Sequence, residues 1–149
     1  MKIRVINGPN MNMLGIREKE IYGYMTYNDL VSYIENYAKK EGIDISFFQS
    51  NIEGELINDI QRCYFEKYDG IIINAAAYTH TSIAILDALK ATNIPTVEVH
   101  MSNIDEREEF RKKSYISLYC FKTIKGLGKD SYIEGIKEIV KKVIGWLLK

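Results

Sequence analysis

The stretch GIIINAAAYTHTS, residues 70–82, joins a candidate strand to a polar loop. Its first five residues form the short run of β-branched side chains that is typical of a buried strand. It then passes into small, uncharged side chains that can form hydrogen bonds, with His80 among them. The segment therefore predicts a buried strand whose carboxyl end carries a ligand-binding loop.

The rest of the chain repeats this alternation of short strand and longer helical segment. Strands are predicted over residues 3–6, 43–49, 70–74, 96–100 and 118–124. Helical periodicity covers residues 26–41, 53–68, 81–91, 105–111 and 131–148. Strict alternation predicts an α/β fold with a doubly wound, five-stranded parallel sheet, and five strands favour the flavodoxin-like order 2-1-3-4-5 over a barrel. A chain of 149 residues is expected to form one domain, residues 1–149.

Helix-end signals support these boundaries. Thr26 with Asp29, and Ser131 with Glu134, have the spacing of capping boxes. Gly42 stands where the helix over residues 26–41 is predicted to end.

Composition limits the kind of partner. Twenty basic residues balance twenty acidic ones, and no block of like charge stands out, so neither nucleic acid nor an anionic membrane surface is an expected partner. We see no signal peptide and no membrane span. Cys63 and Cys120 are expected to be reduced core residues, which fits a cytoplasmic protein. The expected partner is a small molecule or another copy of the chain.

Ligands of such sheets bind outside the carboxyl ends of the strands. The first strand runs into residues 7–12, the third into the loop that contains His80, and the fourth into residues 100–103. The chain has two histidines, His80 and His100, and both are predicted at this edge of the sheet. Position alone leaves a structural and a functional role equally open for each.

The fourth strand, TVEVH, places Glu98 and His100 on one face. A buried glutamate needs a partner. One interpretation is that backbone amides or a distant lysine satisfy Glu98, and another is that Glu98 orients a catalytic His100. A metal site formed by His80, Glu98 and His100 is less favoured, because there is no HxxxH motif and no close cysteine pair.

The first loop contains no GxGxxG and no GKS/T motif, so a dinucleotide or P-loop nucleotide is not indicated. The residues that follow, 14–24, are bracketed by Gly15 and Gly23 and predict a lid with two hinges. Spacing alone is also compatible with Arg17 as a solvated loop arginine and Tyr22 as a ring packed on the surface.

Several motifs together resemble type II 3-dehydroquinate dehydratase, a flavodoxin-like enzyme of the shikimate pathway that supplies aromatic amino acid biosynthesis. They are INGPNMNMLGIRE followed by YG, then QSNIEGELI, INAAAYTHTSIAILDAL, VEVHMSNIDEREEFRKKSY and GLG. The resemblance covers nearly the whole chain in the same order. It implies reversible anti-elimination of water from 3-dehydroquinate to give 3-dehydroshikimate, without a cofactor or a metal.

The resemblance also implies roles for individual residues. Tyr22 would remove the C2 proton with Arg17 beside it, and Asn10 would help to hold a water at the developing enolate oxygen. His100, oriented by Glu98, would protonate the leaving hydroxyl. The residues implied in substrate binding are Asn74, His80, Asp87, Met101, Ser102 and Arg111. Asp87 matches an aspartate that the family offers from a neighbouring subunit, and the family forms trimers that usually assemble to a dodecamer.

Two departures from the family pattern are visible. Lys19 stands where proline is usual, and Ala75 where proline or glycine is common. Two other hypotheses stay open at this point. One is a flavin-binding module of the same fold with THTS, residues 79–82, as its phosphate site. The other is a non-catalytic oligomeric scaffold.

Overall fold

The computed structural model describes residues 1–149. Five parallel strands form one sheet in the order β2-β1-β3-β4-β5, which confirms the predicted fold class and strand order. The strands are β1 (Lys2–Asn7), β2 (Asp44–Gln49), β3 (Gly70–Asn74), β4 (Thr96–His100) and β5 (Lys122–Lys125). The three central strands, β1, β3 and β4, have their carboxyl ends side by side.

Helices cover both faces of the sheet. They are α1 (Lys19–Tyr22), α2 (Tyr27–Lys40), α3 (Glu53–Phe65), α4 (Ile83–Thr92) and α5 (Asp130–Leu147). One core cluster joins α2 and α5 to strand residues such as Val97 and Val99, and a second joins α3 and α4 to strand residues such as Ile71 and Ile73. Glu98 and His100 alternate with the two valines along β4, as predicted.

The fifth strand is shorter than predicted. Pairing begins only at Lys122, and the 3-10 turn Ile116–Leu118 covers the first residue of the predicted strand of residues 118–124. Tyr119 explains the late start, because its hydroxyl donates to the carbonyl of Ile94 at 2.6 Å and its ring packs on the second core cluster. The aromatic composition of this segment is typical of a strand, but the Tyr119 ring packs against the core instead of standing on a paired strand.

The predicted helix over residues 105–111 is also different. The chain forms two separate 3-10 turns, Ile104–Glu106 and Glu109–Arg111, with an extended Arg107 between them. This break lets Arg107 turn towards the sheet edge, where it lines a pocket.

The helix-end predictions gave one error. Thr26 and Asp29 form the predicted capping box, and Gly42 follows α2 with a φ of +68°. The Ser131–Glu134 box is wrong, since Lys129 is the residue that precedes α5. Ser131 instead donates its hydroxyl to the carbonyl of His100 at 2.9 Å, and thus ties α5 to the end of β4.

Both cysteines are free thiols. Cys63 is buried in the second core cluster, whereas Cys120 is partly buried and packs against that cluster. Burial raises the pKa of the Cys63 thiol to about 12, which leaves it unreactive at neutral pH. None of the helices has the combined length and apolar character that crossing a membrane requires.

Candidate active site

A pocket of about 130 Å³ lies at the carboxyl ends of β1, β3 and β4, where the sequence predicted a ligand site. The structure brings together in its lining most of the predicted site residues: Asn10, Arg17, Tyr22, Asn74, His80, His100, Met101, Ser102 and Arg111. The predicted convergence of three loops on one edge of the sheet is therefore confirmed.

The first and third loops touch at their backbones. The amide of Gly8 donates to the carbonyl of Asn74 at 2.8 Å, and a Cβ on Gly8 would stand 2.4 Å from the carbonyl oxygen of Ala75. No residue with a side chain fits there without moving the backbone. Ala75 itself is buried against this contact and does not line the pocket, so its departure from the family pattern adds nothing to the pocket wall.

Two lining residues other than glycine have left-handed backbones. Asn10 has a φ of +68° and Ala76 a φ of +51°. Such conformations cost on the order of 1 kcal/mol or more and persist where the surrounding structure imposes them. For Asn10 the support is visible, because its amide donates to the side-chain oxygen of Asn51 at 2.9 Å.

His100 is held by a buried carboxylate. Its Nε2 lies 2.7 Å from Oε1 of Glu98, which also accepts a hydrogen bond from Ser114 at 2.6 Å. The second oxygen, Oε2, accepts from Thr123 at 3.1 Å. Burial alone would raise the pKa of Glu98, but the hydrogen bonds from His100, Ser114 and Thr123 outweigh it and hold this pKa below its ordinary value. Glu98 therefore stays ionised at neutral pH and sits behind His100, outside the pocket lining.

His80 is fixed by a backbone carbonyl. Its Nδ1 lies 2.7 Å from the carbonyl oxygen of Lys113. A carbonyl only accepts, so Nδ1 must carry a proton, and Nε2 is the nitrogen left for a ligand. Because the two histidines have separate partners, they do not form the metal site considered with Glu98. No group of three His, Cys, Asp or Glu side chains is placed to hold a metal ion.

Asn74 is oriented by a buried hydrogen-bond network. Its amide nitrogen donates to the hydroxyl of Tyr132 at 3.0 Å, and its oxygen accepts from the amide of Ala76 at 3.2 Å. Tyr132 donates in turn to Asn7 at 2.6 Å. Burial raises the pKa of Tyr132 far above its ordinary value, so this hydroxyl acts as a neutral structural group.

The predicted lid, which we define as residues 15–23, has the backbone of a hinged segment. Gly15 has a φ of +85° and Gly23 a φ of +73°, and both values favour glycine. Lys19, where the family pattern has proline, begins α1 on the outside of the lid and lies 5.0 Å from the ring of Tyr24. It therefore changes the outer surface of the lid and not the pocket.

Tyr22 closes the pocket from the lid. Its hydroxyl accepts a hydrogen bond from Arg107 at 3.1 Å, and the guanidinium of Arg17 lies 5.6 Å from the centre of its ring. Arg17 also pairs with Glu18. The tyrosine is thus flanked by two cations, one of which contacts its oxygen.

Arg107 is the site residue that sequence reasoning missed. It lies four residues before Arg111 in the matched segment VEVHMSNIDEREEFRKKSY, and that second arginine could have drawn attention to it. Arg107 was missed because the sequence analysis predicted a continuous helix over residues 105–111, which did not indicate where the Arg107 side chain would point.

The charge of the pocket lining has one sign. Three guanidinium groups line it, from Arg17, Arg107 and Arg111, and no Asp, Glu or Lys is among the lining residues. Glu18 and Glu108 pair with these arginines from outside the pocket: Glu18 pairs with Arg17, and Glu108 lies 2.9 Å from Arg111. Such a lining favours an anionic ligand.

Two residues that the sequence analysis considered for ligand binding, Asp87 and Ser82, do not line the pocket. Asp87 lies on the exposed outer face of α4, away from the pocket lining. The hydroxyl of Ser82 accepts a hydrogen bond from the amide of Ile85 at 2.9 Å and caps α4. The THTS segment therefore uses its last hydroxyl for the helix, which disfavours the phosphate site of a flavin.

The fold and the pocket define a small flavodoxin-like α/β enzyme with acid–base groups and a cationic pocket for an anionic substrate. Residues 1–140 match the model of the class II dehydroquinase family, and the chain belongs to this family. It is 58% identical over 143 residues to a 3-dehydroquinate dehydratase of Clostridium perfringens, covering 96% of this chain and 99% of that protein.

Solved structures agree. The type II dehydroquinase of Butyrivibrio crossotus is 51% identical, with a TM-score of 0.92 over 93% of this chain and 97% of that one. The type II dehydroquinase of Propionibacterium acnes is 37% identical, with a TM-score of 0.88 over 96% of both chains.

Proposed function

We propose that the protein catalyses the reversible anti-elimination of water from 3-dehydroquinate in the shikimate pathway, with Tyr22 as the base and His100 as the general acid. The observation that carries this proposal is the combination, in one pocket, of a tyrosine hydroxyl bound by Arg107 and a histidine bound by a buried glutamate. The product is 3-dehydroshikimate, and the intermediate is an enolate.

The base must be a phenolate. Tyrosine in water has a pKa of about 10, so only about one molecule in a thousand is ionised at pH 7. Arg107 donates to the oxygen that has to carry the charge, and Arg17 lies over the same ring. Both cations stabilise the phenolate, which then removes the C2 proton of the substrate.

The enolate oxygen that forms needs a hydrogen-bond donor. Asn10 lines the pocket with a left-handed backbone that is fixed by Asn51. We assign to it the water that donates to this oxygen. A preorganised donor of this kind stabilises charge as it develops.

The acid must deliver a proton to the leaving hydroxyl. Glu98 is ionised and accepts from Nε2 of His100, so it stabilises the imidazolium and leaves Nδ1 for the substrate. Protonation of the departing oxygen by Nδ1 completes the elimination, and the reverse reaction uses the same groups.

Substrate recognition divides between charge and neutral polar groups. We assign the single carboxylate of the substrate to Arg111, the hydroxyl of Ser102 and the backbone at Met101 and Ser102, because a guanidinium matches a carboxylate in geometry and charge. The ring hydroxyls go to Asn74 and His80, whose free Nε2 accepts a hydrogen bond. No lysine lines the pocket, which supports chemistry without an imine.

Asp87 cannot act in its own pocket from the outer face of α4. We therefore place it at the pocket of a neighbouring subunit, in a trimer that assembles further to a dodecamer. Ile83, on the same helix, is 54% exposed and offers apolar surface for such a contact. Light scattering tests the assembly, and an active monomer would contradict this role of Asp87.

We regard residues 1–149 as one catalytic domain that works in the cytoplasm. All five strands form a single sheet, and each of the two core clusters joins this sheet to one layer of helices. The free thiols of Cys63 and Cys120 support a reducing compartment.

The decisive experiment mixes purified protein with 3-dehydroquinate and follows ultraviolet absorbance. Elimination conjugates a new double bond to the ketone, so absorbance should rise in proportion to folded enzyme. Heat-unfolded protein is the control. Folded protein that gives no rise would overturn the proposal. Borohydride added with substrate should leave activity intact, and a mass adduct on a lysine would contradict the mechanism.

A further inference from the structure

Three consecutive residues, Lys113, Ser114 and Tyr115, connect the loops that carry both histidines. We call residues 113–115 the histidine bridge. The carbonyl of Lys113 accepts from Nδ1 of His80 at 2.7 Å. The hydroxyl of Ser114 donates to Oε1 of Glu98 at 2.6 Å, and the amide of Tyr115 donates to the carbonyl of Thr79 at 3.0 Å. One short segment therefore contacts the His80 loop twice and the carboxylate behind His100 once.

The partners of the two histidines impose opposite tautomers on the neutral rings. His80 must carry its proton on Nδ1, because its partner there is a carbonyl. His100 must carry its proton on Nε2, because its partner there is the ionised carboxylate of Glu98. The nitrogens that remain for a ligand are Nε2 of His80 and Nδ1 of His100.

Ser114 fixes the carboxylate oxygen of Glu98 that binds His100. Both the serine hydroxyl and Nε2 of His100 bind the same atom, Oε1 of Glu98. The hydroxyl proton of Ser114 is directed there, since its oxygen also accepts from the amide of Ser117 at 3.2 Å. Thr123 binds the other carboxylate oxygen over a longer distance of 3.1 Å. Rotation of the Glu98 carboxylate away from His100 would break the short bond to Ser114.

We propose that Ser114 is a positioning residue that fixes the Glu98 carboxylate, and through it the tautomer and orientation of His100. The proposal rests on the function proposed above, in which His100 is the general acid. Lys113 does the same for His80 through its backbone carbonyl, so the histidine bridge sets both imidazoles with adjacent residues.

The test compares Ser114→Ala with the wild type in kinetics and in the ring ¹⁵N spectrum of histidine-labelled protein. We expect kcat to fall about tenfold or more, as for the loss of a hydrogen bond to a charged group, with KM changed less than about twofold. The ¹⁵N shifts distinguish protonated from unprotonated ring nitrogens, and the chain has only two histidines to assign. The His100 signals should move, while those of His80 should stay.

Matched variants separate positioning from a merely structural role. Ser117→Ala removes a hydroxyl from the same turn, where it binds the Ser114 carbonyl at 2.8 Å, and it should leave kcat and the His100 signals unchanged. Ser114→Thr retains a hydroxyl and should restore most of kcat. Thr123→Val should lower kcat less than Ser114→Ala, because it frees the oxygen that His100 does not use.

Each result has a defined meaning. If Ser114→Ala lowers only thermal stability, with kcat and the His100 signals as in the wild type, Ser114 is no more than a cap of its turn and the proposal is wrong. The spectrum is recorded without substrate, so the tautomers can be read even if the wild type has no dehydratase activity. Such inactivity would overturn the proposed function. Identical tautomers for His80 and His100 would overturn the inference about the bridge.

Discussion

The two sides of the pocket are built with very different support. On β4, Glu98 is fully buried and His100 is 5% exposed. The carboxylate of Glu98 accepts hydrogen bonds from three side chains, those of His100, Ser114 and Thr123. On the lid, the hydroxyl of Tyr22 has one hydrogen bond, from Arg107, in a segment that begins and ends with left-handed glycines. In the proposed mechanism, the acid His100 is thus placed by a buried network on the sheet, while the base Tyr22 lies on a segment with two glycine hinges.

This difference shows how one site can hold some of its groups in fixed positions and still admit a substrate. A buried, fully bonded acid needs no rearrangement when the substrate arrives, which lowers the cost of the proton transfer. A base on a hinged segment can open the pocket for substrate and product and then exclude water. We therefore expect substitutions on β4 to disturb the folded state as well as turnover, and substitutions on the lid to disturb turnover alone.

The largest effect is expected for Tyr22→Phe. The change removes one oxygen and keeps the ring, so turnover should fall by about 10⁴-fold, the upper range for an acid–base group. Thermal stability and binding of a ring-shaped inhibitor should change little. Tyr24→Phe is the matched control, because this tyrosine just after the lid is 78% exposed and does not line the pocket. More than a small fraction of wild-type turnover in Tyr22→Phe would show that another group takes the proton.

His100→Ala should lower turnover by about 10²–10³-fold, within the range for general acid–base catalysis. Unlike Tyr22→Phe, it should also destabilise the protein, since it leaves the buried charge of Glu98 without one partner. The variant should still exchange the C2 proton of the substrate with deuterated solvent, because the base is intact. Mass spectrometry of recovered substrate measures the exchange, and its loss while substrate still binds would assign His100 another role.

The two arginines that flank Tyr22 should differ in their effect on turnover. Arg107 donates to the hydroxyl of Tyr22, whereas Arg17 lies over the ring and pairs with Glu18. Either change to lysine keeps the charge and loses the planar fork, so kcat should fall by about 10–100-fold for Arg107→Lys and by less for Arg17→Lys.

In both variants KM should change less than kcat, because the lost contact acts on proton transfer more than on ground-state binding. Arg62→Lys, on α3 and paired with Asp59 away from the pocket, provides the control for a guanidinium-to-ammonium change. An equal loss in the control would show that the effect is not specific to the pocket.

The smallest expected effect concerns stability against acid. The pKa of Glu98 is lowered on folding from its ordinary value of 4.5, so its ionisation stabilises the native state above that pH. This contribution is lost as the pH falls below 4.5 through the lowered value. Glu98→Gln lacks the titrating group, and its difference from the wild type in free energy of unfolding should shrink as the pH falls.

Urea unfolding at neutral and acidic pH measures this difference. Glu18→Gln, which alters a 39% exposed carboxylate on the lid, is the control and should show no comparable change. A gap between wild type and Glu98→Gln that stays constant with pH would mean that the carboxylate on β4 adds no acid-sensitive stability.

The sheet was predictable because its signals are local. The apolar run of residues 71–73 indicates a strand that is buried on both faces, and the alternation in TVEVH puts Glu98 and His100 on the same face. The rule for carboxyl ends then places the loops. The start of the edge strand β5 was harder to predict, because Tyr119 is a residue type that is common in strands but here its ring packs against the core. Ser131 misled for a similar reason, because its capping pattern is outweighed by a bond to the His100 carbonyl.

The sequence predicted which residues line the pocket better than it predicted the hydrogen bonds between them. Asn74 and His100 end β3 and β4, and His80 lies in the loop after β3, so chain position gives their location. The contacts of Ser114 with Glu98 and of Arg107 with Tyr22 join residues 16 and 85 positions apart. Arg107 lies at a break between two 3-10 turns. No periodicity in the sequence encodes such a break.

The cationic pocket also has a consequence for association kinetics. The chain carries no net charge, yet it gathers three guanidinium groups around one opening. An anionic substrate is therefore not attracted from afar, and electrostatic capture is confined to about one Debye length, roughly 8 Å at physiological ionic strength. Added salt should weaken this final capture and slow substrate entry, while the proposed proton transfers within the pocket should depend less on salt.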